Sequence, residues 1–354
     1  MKRGLAKGVL LMTFVVFIVS SMDDLTNWIA RARNEKTGWW GTDRHRYGDL
    51  YGFTYLSKFR IQNPQGSDNL LRFDTVAPHT KKIDLYALSD SYGWGLFEHP
   101  SLFKNVNKIV YTRLNDRQTT DVTLDKTKKN VLLLETSERN VRLVYEDTTY
   151  MQHFFNIKDT ENNVSPAFKK NDAFKLKYKL NDIDANIEFN LWDYSFLTPF
   201  KEFKADLYYS MFNRLSKGAY LSDDKKYLLY DLTIDTVYKQ SSFKPVDKNE
   251  LRGIIKVLNK VYDQYRSKGF DEVYIAIIPN PVSILYPNYH GLIYNNLISL
   301  VQNDRTLKCK VIDLNRVFKQ TNEQVYCYSD THWNRNGERI WLSLVNSALR
   351  PFVE

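Results

Sequence analysis

The sequence predicts an α/β fold: a parallel sheet sandwiched by helices, with an N-terminal membrane helix and an insertion in the middle of the chain. Three observations carry this. Short apolar-rich runs at Ile83–Leu88, Val131–Glu135 and Val273–Ile278 read as strands, the second apolar enough to be covered on both faces and the third buried. In the C-terminal third, helical and strand patterns alternate with short connections, the order of a parallel sheet. The first residues place Lys2, Arg3 and Lys7 before the apolar run Gly8–Val19.

Positive charge before an apolar run keeps the N-terminus cytoplasmic and puts the body on the far side. A spanning helix needs about 20 residues, so Leu5 and Ala6 are counted in and Lys7 snorkels. A secretory signal peptide is the alternative, with an apolar region of roughly 7–15 residues, but no clean small-residue cleavage site stands out. Either reading exports the chain. Residues 1–24 are thus an anchor or signal peptide. Residues 25–80 form a juxtamembrane and lead-in segment, with Leu25–Arg33 continuing as a helix and Trp39 and Trp40 near the interface or simply packed. Asn63–Gly66 reads as a turn. Residues 81–354 hold the α/β domain, with an insertion at about 149–246.

Within that domain, Lys108–Tyr111 is a short strand, and the polar stretch Asn115–Asn130 is a surface loop or exposed helix. In the insertion, Phe174–Tyr178 and Ile187–Leu191 alternate around Asn181-Asp182, the pattern of a β-hairpin. A helix is expected over Pro199–Leu215. The run Lys248–Lys268 carries Leu251, Ile254, Ile255, Leu258 and Tyr262 at helical spacing and is stopped by Gly269. A further helix is expected over Gly291–Gln302 and a last strand over Lys310–Leu314. An amphipathic C-terminal helix buries Ile340, Trp341, Leu344, Val345, Ala348 and Leu349, with Asn334 or Asn336 as its cap.

Hydrophobic residues at 43% and charged residues at 26% exclude a disordered chain. The net charge of +9 is spread without a dense basic tract, so no nucleic-acid partner is expected. The 24 Tyr, 20 Phe and 7 Trp suit a carbohydrate-facing cleft or ordinary core packing. Cys309 and Cys327 form one disulfide in an oxidising compartment or stay as two buried thiols. The remaining histidines lack ligand spacing and no glycine-rich phosphate loop is present, so no metal and no cofactor are expected.

Chemistry concentrates at two places. Ser91 lies just beyond the strand ending at Leu88, on an elbow where Gly93 and Gly95 permit a tight backbone. A serine hydroxyl needs an adjacent base to act as a nucleophile; alone, Ser91 is as readily a turn serine. The second place is Asp330-Thr331-His332-Trp333-Asn334, just before the C-terminal helix. A loop histidine with a carboxylate to hold its tautomer can serve as that base, or be a satisfied loop histidine.

Together these blocks resemble the SGNH (GDSL-like) hydrolase superfamily, whose fold is a flavodoxin-like parallel sheet. Its Gly-Asp-Ser block is matched by Ser89-Asp90-Ser91, and its C-terminal Asp/His block by Asp330, His332, Asn334 and Gly337. A narrower resemblance is to the alginate O-acetyltransferase-like branch, through Asp330-Thr331-His332-Trp333 and through Val131–Glu135 followed by Glu138-Arg139-Asn140. In that branch the Asp/His segment usually precedes the serine; here it follows. Ser89 also replaces the family glycine, and no Gly-x-Asn-Asp block is present.

The resemblance implies a catalytic triad of Ser91, His332 and Asp330. Donors for a developing oxyanion are the backbone N–H of Ser91 or the side chains of Arg139, Asn140 or Asn280. Each side chain has a structural alternative, as an ion pair with Glu138, a cap and a turn residue respectively. The implied activity is serine acyl transfer or ester hydrolysis on O-acyl groups, chiefly O-acetyl, of a cell-envelope or exported polysaccharide. The implied partners are that glycan and a membrane-bound O-acyltransferase as acyl donor, with the domain on the periplasmic or extracellular side. The alternatives are a carbohydrate or lipid esterase, and a non-catalytic polysaccharide-binding or assembly subunit on the same scaffold.

Overall fold

The computed structural model describes residues 2–34, 40–60, 81–114, 118–146, 148–158 and 183–352. The chain divides into two compact units, residues 1–64 with 164–219 and residues 65–163 with 220–354.

The second unit is built on a five-stranded parallel sheet. Its strands are β1 (Ile83–Ser89), β2 (Val106–Arg113), β3 (Lys129–Ser137), β4 (Glu272–Ile278) and β5 (Lys310–Ile312). The order across the sheet is β2-β1-β3-β4-β5, every pair parallel. This order is compatible with a flavodoxin-like fold, and it reverses direction between β1 and β3, where open α/β sheets form their ligand crevice.

The alternation of side chains sorts the core into two layers. Ile83, Leu85, Ala87, Val131, Leu133, Ala276 and Ile278 pack on one face against Trp341, Leu342, Val345 and Leu349 of the helix Arg335–Leu349. Tyr86, Leu88, Leu132, Leu134, Val273, Ile275 and Ile277 pack on the other against Ile254, Leu258, Val261 and Tyr265 of the helix Lys248–Ser267. The latter starts where the Asp247 side chain accepts from Asn249 N, and Gly269 follows its end at a φ of 103° that only glycine adopts cheaply.

Several expectations are corrected. The stretch Asn115–Asn130 contains a short strand, Thr120–Val122, paired in parallel with Phe155–Ile157. The helix expected over Gly291–Gln302 is confined to Leu297–Gln302, because Gly291 and Asn296 both take positive φ. The strand expected over Lys310–Leu314 stops at Ile312, since Asp313 caps a helix over Leu314–Gln320 by accepting from Arg316 N at 2.9 Å. Of the two states open to Cys309 and Cys327, the structure shows two buried thiols not joined in a disulfide. The chain returns to the sheet unit from residue 220 onward. The buried Arg142 fixes part of that return, donating to the carbonyls of Ser241 (3.1 Å) and Lys244 (2.9 Å).

The first unit contains the helices Lys2–Ser20, Asp23–Asn34, Ile183–Trp192 and Thr198–Phe212. Ile187–Leu191 therefore lies in a helix and not in a hairpin strand. Its expected partner Phe174–Tyr178 lies outside the described residues, as do Trp39 and the turn Asn63–Gly66. The N-terminal run is helical, but among the described residues no helix is long and apolar enough to cross a membrane.

Candidate active site

The site lies at the carboxyl ends of β1 and β3, where the strand order reverses. β1 ends at Ser89, and the chain turns through Asp90, Ser91 and Tyr92 into the short helix Trp94–Phe97. Asp90 and Tyr92 are buried, while Ser91 is exposed. Asp90 holds this elbow. Its Oδ1 accepts from Tyr92 N at 3.0 Å, and its Oδ2 accepts from Ser137 N at 2.7 Å and Asn140 Nδ2 at 3.2 Å. The carboxylate thus ties the end of β1 to the start of the helix Glu138–Val144 after β3. Burial alone would raise its pKa. The hydrogen bonds from Ser137 and Tyr92 and the positive charge of Arg139 outweigh that and hold it below the usual range.

Beneath the elbow, the Glu135 carboxyl accepts from Ser89 Oγ and is fully buried. Burial first, and the neighbouring Asp90 charge second, push its pKa well above the ordinary value. Gly93 leaves room for the Glu135 carboxyl and the Ser89 hydroxyl: a Cβ there would stand 2.3 Å from Glu135 Oε2 and 2.8 Å from Ser89 Oγ.

The opposing loop comes from just before the helix Arg335–Leu349. Tyr326 and Trp333 form an antiparallel bridge, closed by Asn334 N donating to Val325 O at 2.9 Å. Asn334 is the cap: its side-chain oxygen accepts from Asn336 N (2.9 Å) and Gly337 N (3.2 Å), and its amide donates to Gln324 O (2.8 Å). Gly337 is needed, because a Cβ there would lie 2.6 Å from both Val325 O and Trp333 Cβ. The loop is therefore fixed at both ends.

On this loop Asp330 is buried. Its Oδ1 accepts from His332 N at 2.8 Å and lies 2.5 Å from His332 Nδ1. His332 Nε2 lies 2.7 Å from Ser91 Oγ. With Nδ1 protonated toward Asp330, Nε2 is the acceptor for the serine proton. The structure thus brings together Ser91, His332 and Asp330, separated by some 240 residues in sequence, in one chain of contacts from Ser91 Oγ through the His332 ring to Asp330.

Tyr92 staples the two loops. Its hydroxyl donates to Thr331 O, and its ring lies 4.6 Å from His332 and 5.2 Å from Trp333. Arg139 stands beside it, 5.6 Å from the Tyr92 ring centroid and 6.0 Å from that of Tyr230.

The structure takes the two asparagines expected as oxyanion donors elsewhere. Asn140 spends its amide hydrogens on Asp90 and on Ser137 Oγ (3.0 Å). Asn280 is completely buried; its N–H donates to Glu138 Oε2 and its Nδ2 to Ser242 Oγ, each at 2.9 Å. Both support the elbow's surroundings, and neither amide is aimed at a reacting carbonyl. Glu138 is likewise held by Asn280 and by Ser283 Oγ at 2.6 Å. Arg139 also stands beside the serine loop, against the Tyr92 ring.

Three residues escaped the sequence reading. Glu135 had a visible signal, an acid ending an unbroken apolar strand. Tyr92 had only its position after the serine. Glu338, on the first turn after the loop, has its carboxyl pushed up to about 7 by burial, against the pull of Arg335 and His332.

No protein-family model matches the chain, and neither a curated protein nor a solved structure matches it.

Proposed function

We propose that the chain is a serine acyl-transfer enzyme that forms an acyl ester on Ser91 and passes the acyl group to water or to a sugar hydroxyl. The observation that supports it most is the Ser91–His332–Asp330 relay, with contacts of 2.7 Å and 2.5 Å, at the strand-order reversal.

In this mechanism Ser91 Oγ attacks the ester carbonyl as its proton passes to His332 Nε2. Asp330 holds the ring and stabilises the imidazolium. Collapse of the tetrahedral intermediate returns the proton to the leaving alcohol and leaves the acyl-serine. The incoming hydroxyl is then deprotonated by the same nitrogen and attacks the acyl-serine, and His332 passes that proton to Ser91 Oγ as the serine leaves. Buried Asp90 and Glu135 keep the elbow in shape; they do not touch the reacting atoms.

The Asp330-Thr331-His332-Trp333 segment favours an O-acetyl group on a cell-envelope or exported polysaccharide as the substrate. The basic residues ahead of the N-terminal apolar run favour a domain outside the cytoplasmic membrane. A membrane-bound O-acyltransferase is then the proposed donor for the transferase reaction.

The test is intact mass of the protein after exposure to an activated acetyl ester, beside Ser91→Ala and His332→Ala. The expected result is a single acetyl adduct, or ester turnover, in the wild type and in neither variant. An adduct that persists in Ser91→Ala, or no reaction in folded wild type with any acetyl donor, would overturn the proposal.

A further inference from the structure

The helix Thr198–Phe212 in the first unit reverses the ordinary arrangement of a surface helix, which turns its apolar stripe to the core and its charges to water. Its inward face is polar. Glu202 is buried, accepting from Tyr51 OH at 2.7 Å and pairing with Arg60 at 3.2 Å. Lys201 pairs with Asp193 at 2.9 Å, and Asp206 accepts from Ser57 N at 3.2 Å. These bonds fix the roll of the helix about its axis. At helical spacing on the outward face stand Phe200, Phe203, Leu207 and Met211, which are 72%, 70%, 42% and 64% exposed. Four large apolar side chains in one contiguous outward row need an occupant.

Three observations choose that occupant. The first is charge: residues 1–64 and 164–219 hold 19 Lys and Arg against 12 Asp and Glu, so seven of the chain's nine net positive charges fall in this unit. Lys204 lies beside the row on the helix itself, and Arg214 just past its end; both are exposed. The second is aromatic content: Trp28, Trp40 and Trp192 of the same unit are also exposed, the residue type that favours a membrane–water boundary. The third is that the N-terminal helix Lys2–Ser20 of the same unit also presents apolar side chains, with Leu5, Leu10 and Met12 exposed. That helix is tied into the unit by Asn186 Nδ2 donating to Ser20 O at 2.9 Å and Asn190 Nδ2 donating to Ser20 Oγ at 3.0 Å.

We propose that the outward face of the helix Thr198–Phe212 docks on the surface of an anionic lipid bilayer, lying in its interface as a second membrane contact besides the N-terminus. Phe200, Phe203, Leu207 and Met211 enter the acyl boundary, and Lys204 and Arg214 remain among the headgroups. The proposal is independent of the acyl-transfer chemistry, because none of these residues belongs to the relay.

The test must read this helix locally, because the N-terminal run contributes its own affinity. The full chain carries an environment-sensitive fluorophore at Phe203→Cys; Cys309 and Cys327 are buried, which directs the label. It is mixed with phosphatidylcholine vesicles with and without phosphatidylglycerol. The expected result is a blue shift on the phosphatidylglycerol vesicles, with quenching by lipid brominated on its chains, weakening as salt rises. Adding Phe200→Ser and Leu207→Ser should weaken the fluorescence response by about 10- to 100-fold in lipid concentration. Lys204→Glu, which leaves the apolar row intact, should also weaken it.

A label that stays in water while the protein sediments with vesicles overturns the proposal. So does an equal response on phosphatidylcholine alone. A label shielded without lipid, increasingly with protein concentration, also overturns it and assigns the face to a second copy of the chain.

Discussion

Replacing Gly93 by alanine tests whether the serine elbow depends on the acid beneath it. The added methyl would lie 2.3 Å from Glu135 Oε2, 2.7 Å from Phe97 Cε2 and 2.8 Å from Ser89 Oγ. All three neighbours are buried, and two of them are joined by a hydrogen bond. Ordinary contact would need roughly 3.5 Å, so at least one neighbour must move by about an ångström. Overpacking of this kind costs about 1–3 kcal/mol, and loss of the Ser89–Glu135 bond adds about 1 kcal/mol. Gly93→Ala should therefore lose about 2–4 kcal/mol of stability, read as a lower urea midpoint at unchanged slope. Glu135→Ala removes the nearest obstacle, so the double variant should be more stable than the sum of the singles by at least about 1 kcal/mol. A Gly93→Ala variant within about 0.5 kcal/mol of wild type, or strict additivity in the cycle, would show that Glu135 does not sit under the elbow as described.

Further outcomes follow from the opposing loop. Asp330→Asn keeps an acceptor for His332 N but no longer favours the Nδ1-protonated ring, so ester turnover should fall by about 10³–10⁴-fold while the fold persists; unchanged kcat would remove Asp330 from the relay. Glu338, pushed up to about 7 from 4.5 by burial, binds its proton more tightly folded than unfolded. Stability should therefore fall as pH rises through that window. Glu338→Gln should melt higher than wild type at pH 8, by about 1–3 kcal/mol, and with no difference at pH 4; equal melting at both would refute the burial of that carboxyl. Asn334→Ala removes the cap and should cost about 1–2 kcal/mol in denaturant unfolding, and turnover should fall with it as the histidine loop loosens.

What the sequence made legible follows from how each signal is generated. β1, β3 and β4 are buried on both faces, so their composition alone marks them, and the long helix Lys248–Ser267 repeats its apolar period often enough to be certain of its type. Ile187–Leu191 failed because five residues of alternation do not separate period 2 from period 3.6. Residues Ile183, Ile187 and Leu191 lie four apart as well, and in the helix they form, only Phe189 of the alternating set is buried. The same limit applies to Gly291–Gln302, where one glycine and one left-handed asparagine convert an apolar segment into a turn before the helix begins.

The site divides along a similar line. The proximity of Ser91, Asp330 and His332 was legible because each sits at the end of a recognisable element, and chemistry restricts which residue types pair in this way. The oxyanion asparagines were not, because a sequence shows that an amide exists but not where its hydrogens go. In Asn140 and Asn280 they go to Asp90 and Ser242, both already buried. Withdrawing one of the hydrogen bonds to Asp90 or to the Ser242 hydroxyl in that interior would cost more than a surface amide gains from water. The amides are therefore committed before any substrate arrives. That commitment separates the two roles experimentally: truncating Asn140 or Asn280 should lower stability together with turnover, whereas truncating a true oxyanion donor would lower turnover alone.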